Sequence, residues 1–282
     1  MPVLRVGFLG PSGTFTEQAM ARFFSEKEYE GVPFNEIPEL IKAVASGAVT
    51  AGVVPVENSV EGSVNVTLDL LLRDEAVLIT GEVVLPVIHC LLARKASPGF
   101  KRVLSHPHAL AQCREYLERE LPNAVREATT STAEAARLVA TSPEPLAAIG
   151  TEGAAAQYGL VVVARGIQDA AENETRFLVI GREPATRTER DKTSVAFSLV
   201  HDQPGVLYTA LGEFASRGIN LTKIESRPAR RSIGHYIFFV DCEGHQEDPP
   251  LAEALTAIKK QSTFFKVLGS YPCREGRRCS SG

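Results

Sequence analysis

Four times in the first 153 residues, an apolar run of strand length ends in a short turn of small or polar residues and a helical pattern follows. The turns are Gly10-Pro11-Ser12-Gly13-Thr14, Glu57-Asn58-Ser59, Ser105-His106-Pro107-His108 and Gly150-Thr151-Glu152-Gly153. Strands that alternate with helices fold into a mostly parallel α/β sheet. In such sheets the turns at the carboxyl ends of the strands gather where ligands bind. Free backbone amides at a helix start point outwards and suit anions, and a Ser or Thr there can cap the helix or donate to a carboxylate. Taken singly, each turn is most simply a helix cap. Taken together they point to a small anionic ligand and say no more.

The strand-like runs are 3–9, 51–56, 77–92 (broken by Gly81 and Pro86), 103–104, 146–149 and 177–180; helical patterns cover 16–24, 64–72, 109–120 and 132–140. A polar, charged stretch with one Pro follows and reads as a linker. Beyond it the order changes to strand 193–200, helix 205–217, strands 219–226 and 235–242, helix 251–260 and strand 264–268. That is β-α-β-β-α-β, a ferredoxin-like unit. The chain therefore reads as an α/β domain at 1–183, a linker at 184–192, a ferredoxin-like domain at 193–272 and a tail at 273–282 to which we give no role.

Composition removes several classes of function. The net charge of −4 comes from well-spread residues, which disfavours a general grip on nucleic acid. No apolar run reaches transmembrane length, and the start is too short and lacks the pattern of a signal peptide, so no membrane association is expected. The five cysteines form no C-x-x-C pair; their odd number and spacing suggest neither a disulfide framework nor a zinc site, and a reducing cytoplasm fits best. Gly7, Gly10 and Gly13 have the wrong spacing for a dinucleotide fingerprint. No metal and no cofactor are expected.

The segments GPSGTFTEQA, PVENSVEGSV, SHPHALAQC, STAEAA, AAIGTEGAA and NETRFLVIG occur in this order and spacing. Together they resemble the prephenate dehydratase family, over roughly residues 3–272. The resemblance implies a two-lobed, periplasmic-binding-protein-like catalytic domain with its active site in the cleft and its last strand, near Phe177, returning to the first lobe. It leaves no room for a preceding chorismate mutase domain. The reaction implied is the decarboxylating dehydration of prephenate to phenylpyruvate, carbon dioxide and water. The signature Thr175-Arg176-Phe177 makes Thr175 the donor to the leaving hydroxyl. A free Thr hydroxyl is too weak an acid to be the final proton source, so Glu57 or a bound water would supply it. Asn58 and Gln112 are implied at the cleft, where neutral amides orient the hydroxyl or a carboxylate. Arg176 suits a bidentate carboxylate or a structural ion pair equally. Phe177 packs the pocket wall. Thr14, Ser59, Ser105 and Thr151 are candidate substrate anchors; His106 is a candidate contact but, like His108, reads as readily as a turn residue.

The second domain resembles an ACT domain, a module that binds amino acids. Its effector motifs stand as Gly205-Val206-Leu207 and Glu225-Ser226-Arg227-Pro228, with Asn220 and Leu221 beside them. The resemblance implies L-phenylalanine held between the ACT domains of two subunits, hence a homodimer at least and a tetramer by family expectation. The first motif departs slightly from the commoner glycine-alanine-leucine-valine form, apolar for apolar. Two other functions stay open on the residues alone: an arogenate dehydratase, and a binding protein with no enzymatic step.

Overall fold

A computed structural model describes residues 3–96, 99–200, 204–228 and 236–273. The expected strand start at 235 and the tail from 274 lie outside these residues. The first strand–helix pairs are β1 (Leu4–Leu9) with α1 (Phe15–Phe23), β2 (Tyr29–Phe34) with α2 (Ile37–Ser46), and β3 (Ala51–Asn58), which meets the short β4 (Gly62–Ser63) before α3 (Asn65–Arg73). Next come β5 (Leu78–Pro86), β6 (Cys90–Ala93), β7 (Arg102–Ser105), α4 (Pro107–Gln112), α5 (Arg114–Glu120), β8 (Val125–Ala128), α6 (Thr132–Thr141), β9 (Leu146–Gly150), α7 (Glu152–Tyr158), β10 (Val161–Arg165) and β11 (Glu174–Gly181). The C-terminal part holds β12 (Asp191–Leu199), α8 (Val206–Ala215), β13 (Leu221–Pro228), β14 (Tyr236–Glu243), α9 (Pro249–Lys260) and β15 (Ser262–Pro272).

The strands form three sheets, ordered β2-β1-β3-β11-β5 with β4 on β3, then β10-β6-β9-β7-β8, then β13-β14-β12-β15. The first two are the lobes of the expected two-lobed α/β domain, and β11 returns to the first sheet after the chain has built the second. The third is antiparallel in the ferredoxin-like order. The strands β2, β8 and β10 and the helix α2 were not read from the sequence, and the helix expected over 109–120 is two helices meeting at Cys113. Among the described residues no helix is long and apolar enough to cross a membrane.

The chain divides into two compact units. One holds Met1–Ala43, Val49–Asn65 and Val83–Phe177; the other holds Val44–Ala48, Val66–Glu82 and Leu178–Gly282. In the first unit the central strands of the second sheet, β6, β7 and β9, are buried on both faces. Neighbouring strand residues alternate between two cores: Leu92, Leu104 and Ala148 pack with α6 and α7, while Leu91, Val103 and Ala147 pack with α4 and α5. This explains why these central strands read as apolar runs, whereas the exposed edge strand β8 does not stand out.

In the second unit one core joins Val195, Phe197 and Val240 of the antiparallel sheet to Phe214 of α8 and Leu251, Leu255 and Ile258 of α9. Parts of α3 and β5 belong to this unit too. Arg227 Nη1 pairs with Asp69 Oδ1 at 2.8 Å, and Lys266 Nζ donates to the carbonyls of Leu71 and Asp74, both at 2.7 Å. Lys192 pairs with Glu82 at 2.6 Å, their side chains 12% and 7% exposed. Gly269 lies on the backbone of Ile79, where a Cβ would sit 2.2 Å from the Ile79 oxygen. Cys90, Cys113 and Cys242 are buried free thiols, whereas Cys273, against the reading of the sequence, is disulfide-bonded.

Candidate active site

The turn after β3 is closed by its own side chain. Asn58 Oδ1 accepts from the backbone amides of Val60 at 3.0 Å and Glu61 at 2.9 Å, an Asx turn. With its oxygen held, the Asn58 amide nitrogen can only donate. It faces Asn173 Oδ1 at 2.8 Å, Thr175 Oγ1 at 2.9 Å and the Glu174 carbonyl at 3.2 Å. Ser59 adds two bonds to the start of β11: its amide donates to the Glu174 carbonyl, and its Oγ accepts from the Glu174 amide, both at 2.9 Å. Thr175 is thus fixed with an amide donating onto its oxygen. Its own proton points elsewhere, and no described residue accepts it. A hydroxyl that accepts one hydrogen bond becomes a better donor of another.

The same network reaches the third turn. Asn173, 2% exposed, donates through Nδ2 to Gln112 Oε1 at 3.2 Å. Gln112 ends α4; its Oε1 lies 2.9 Å from His89 Nε2, and its Nε2 donates to Glu61 Oε1 at 3.2 Å. The other Glu61 oxygen lies 3.3 Å from His108 Nδ1. Asn58, Gln112 and Thr175, separate in the sequence, therefore meet in one hydrogen-bonded set.

The first and fourth turns meet each other instead. Thr151, 1% exposed, donates to the Gly13 carbonyl at 2.8 Å and caps α7 by accepting from the Ala154 amide at 3.0 Å. Gly13 has φ +94° and sits so close that a Cβ would be 2.9 Å from Ala154 Cα. Tyr158 donates to the Ser12 carbonyl at 2.9 Å. Thr14 donates to the Leu9 carbonyl at 2.9 Å and caps α1. Ser105 is fully buried, its hydroxyl donating to the Ile149 carbonyl at 2.8 Å. The hydroxyls of Thr14, Ser105 and Thr151 thus donate to main-chain oxygens and hold the turns together.

His106 caps α4 through its ring, Nδ1 accepting from the His108 amide at 3.3 Å. Burial, then the neighbouring His108, holds its pKa below the ordinary value, while Glu61 works weakly the other way. Arg176 is mostly buried and lies 3.9 Å from Glu57, the long end of an ion pair. Phe177 is 2% exposed and packs in the core.

The sequence of residues 6–185 matches the family described as prephenate dehydratase, and that of 193–260 matches the ACT domain. The chain belongs to the prephenate dehydratase family. It is 40% identical to the prephenate dehydratase of Methanocaldococcus jannaschii, over 93% of this chain and 96% of that one. The prephenate dehydratase of Arthrobacter aurescens, solved in complex with L-Phe, superposes with a TM-score of 0.86 at 38% identity, covering 96% of this chain and 90% of that one. GqqA, described as a novel type of quorum quenching acylase, superposes with a TM-score of 0.85 at 32% identity, over 96% and 98%.

Within this prephenate dehydratase fold, sequence reasoning missed Asn173, Glu61 and His89 as members of the network. Asn173 stands in the polar loop before β11 and offered no sign of its burial. In the ACT domain, Gly205 has φ +86° and heads α8, Asn220 donates to Glu243 at 3.2 Å, and Glu225 pairs with Lys223 at 3.3 Å on β13. Arg227 of the second effector motif is held by Asp69.

Proposed function

We propose that the chain dehydrates and decarboxylates prephenate, and that Thr175 hands a proton to the departing hydroxyl. The observation that carries this is the Asn58 amide on the Thr175 oxygen, which leaves the Thr175 proton for the substrate. As the ring C–O bond breaks, the electrons of the ring carboxylate's C–C bond move into the ring. Carbon dioxide departs, the ring becomes aromatic, and the hydroxide leaves as water with the proton passed through Thr175. Glu57 or a bound water restores that proton. Such a donor contributes about 10²–10⁴ in rate. Arg176 holds a substrate carboxylate bidentately. Asn58 and Gln112 orient the hydroxyl or carboxylate; Ser59 steadies the start of β11, His106 borders the cleft, and Phe177 backs it.

The acylase relative suggests a rival chemistry, with Thr175 as nucleophile. A nucleophilic hydroxyl needs a base at its proton. The group bonded to Thr175 is a donor, the Asn58 amide, and among the described residues no basic side chain is hydrogen-bonded to Thr175. Donation by Thr175 fits the arrangement better.

L-phenylalanine binds the ACT domain at Gly205, Val206, Leu207, Asn220, Leu221 and Glu225-Ser226-Arg227-Pro228, between two subunits, and lowers activity by favouring one global state. The active form is a homodimer or a tetramer in the cytoplasm. The test is to mix purified chain with prephenate and follow phenylpyruvate absorbance, with arogenate in parallel and L-phenylalanine added. Turnover of prephenate, slowed by L-phenylalanine with a shift in oligomer size, is expected. No product from either substrate ends the enzymatic reading; faster phenylalanine formation from arogenate replaces the substrate.

A further inference from the structure

His89 lies between β5 and β6, outside every motif read from the sequence, and the residue is 3% exposed. Its Nδ1 is the one buried side-chain nitrogen or oxygen among the described residues that has no hydrogen-bond partner. An unmade bond of this kind is costly and calls for a reason. A phenylalanine would fill the same place beside Phe15, whose ring meets that of His89 edge-on at 5.7 Å, without that cost.

The reason follows from the polarity of the neighbouring amides. The Val60 and Glu61 amides hold the Asn58 oxygen, so the Asn58 nitrogen faces Asn173 Oδ1. The Asn173 nitrogen then faces Gln112 Oε1, and the Gln112 nitrogen faces the Glu61 carboxylate. Every amide direction is set from the Asx turn onwards. His89 Nε2, 2.9 Å from the same Gln112 oxygen, meets an atom that can only accept. It must carry the hydrogen. Burial lowers the pKa of His89, more than the bond to Gln112 raises it, so the ring is neutral and Nδ1 is bare. The main chain holds the ring in place: the His89 amide donates to Gln168 Oε1 at 3.0 Å, and the His89 carbonyl accepts from the Ile167 amide at 3.1 Å.

We propose that His89 is a positioning residue whose Nε2–H tautomer locks the Gln112 amide, keeping the Gln112 NH2 group turned towards Glu61 and the substrate. The bare Nδ1 is the consequence of that tautomer. The proposal rests on the dehydratase reading for its effect on rate but not for its geometry, and the test separates the two.

In the full-length chain, nitrogen-15 NMR of labelled histidine reads the tautomer without any substrate. A protonated Nε2 with an unprotonated, unbonded Nδ1 is expected; the opposite tautomer overturns the proposal whatever the enzyme turns over. In the prephenate assay, His89→Phe keeps the ring and removes the donor. It should lower kcat about tenfold, one hydrogen bond's effect, with KM nearly unchanged. His89→Gln places an amide N–H near the position of Nε2 and should recover kcat to within about threefold of the parent. Equal losses in both variants, or none in a folded His89→Phe, overturn the proposal. If His89→Phe does not fold, the NMR signature and His89→Gln decide.

Discussion

In the turn after β9, Thr151 sits 1% exposed with its proton on the Gly13 carbonyl and its oxygen on the Ala154 amide. In the turn after β3, Asn58 takes the backbone bonds on its oxygen and aims its amide at the oxygen of Thr175. Both turns leave a strand, carry small polar residues and lead towards a helix. One uses its hydroxyl completely to hold the chain. The other uses a neighbouring amide to hold a hydroxyl while leaving its proton available. Whether a polar turn is structural or chemical thus depends on which partner fills the acceptor and which fills the donor, and a single residue type settles neither.

The contrast can be broken by substitution. Thr175→Val should have the largest effect: kcat for prephenate falls by about 10²–10⁴ while KM stays nearly constant. A loss in KM alone would move Thr175 from proton transfer to binding. Asn58→Asp keeps the acceptor that closes the Asx turn and removes the donor. It should lower kcat by about tenfold or more, and lower the melting temperature as well, since Asn173 Oδ1 and the Glu174 carbonyl lose the same donor as Thr175. If kcat holds, the Asn58 amide does not prepare Thr175.

On the structural side of the comparison, Gly13→Ala forces a side chain at φ +94° against Ala154. It should lower stability by about 1–3 kcal/mol in denaturant unfolding. Thr151→Val removes a cap and a buried bond, and should cost about 1–2 kcal/mol. Its kcat per folded molecule should hold; a large loss there would return Thr151 to the substrate. The smallest effect concerns acid. His89 and His106 have folded pKa values depressed by burial. The unfolded chain, with histidine near about 6.5, then binds protons that the folded chain refuses. Stability should fall as pH drops through that range, and His106→Asn should flatten the slope of melting temperature against pH.

Much of the site was legible in part. The hydroxyl and amide residues of the second and third turns and the start of β11 stand out as polar groups at the ends of apolar strands. Asn173 and His89 did not, because local pattern carries no record of a partner far along the chain: Asn58 and Asn173 are 115 positions apart, His89 and Gln112 23. The helix α2 was legible and was passed over: Ile37, Leu40, Ile41 and Val44, all buried, have helical spacing. The strand β2 was not, since YEGVPF holds Gly and Pro and lies at the sheet edge with little burial.

The amino-acid order by itself determined the α/β alternation, the change to a ferredoxin-like unit after the linker, and the polar turns, because each depends on periodicity and on residues close in the chain. Tertiary structure alone decided which turns meet, that Thr14, Ser105 and Thr151 are used up by the main chain, and that Asp69, Leu71, Asp74 and Glu82 serve the same unit as the C-terminal sheet. The physical reason is that a hydrogen bond or ion pair is made between positions in space. A side chain's chemistry lists what it can donate or accept; only the folded neighbours select which of those bonds is left for a substrate.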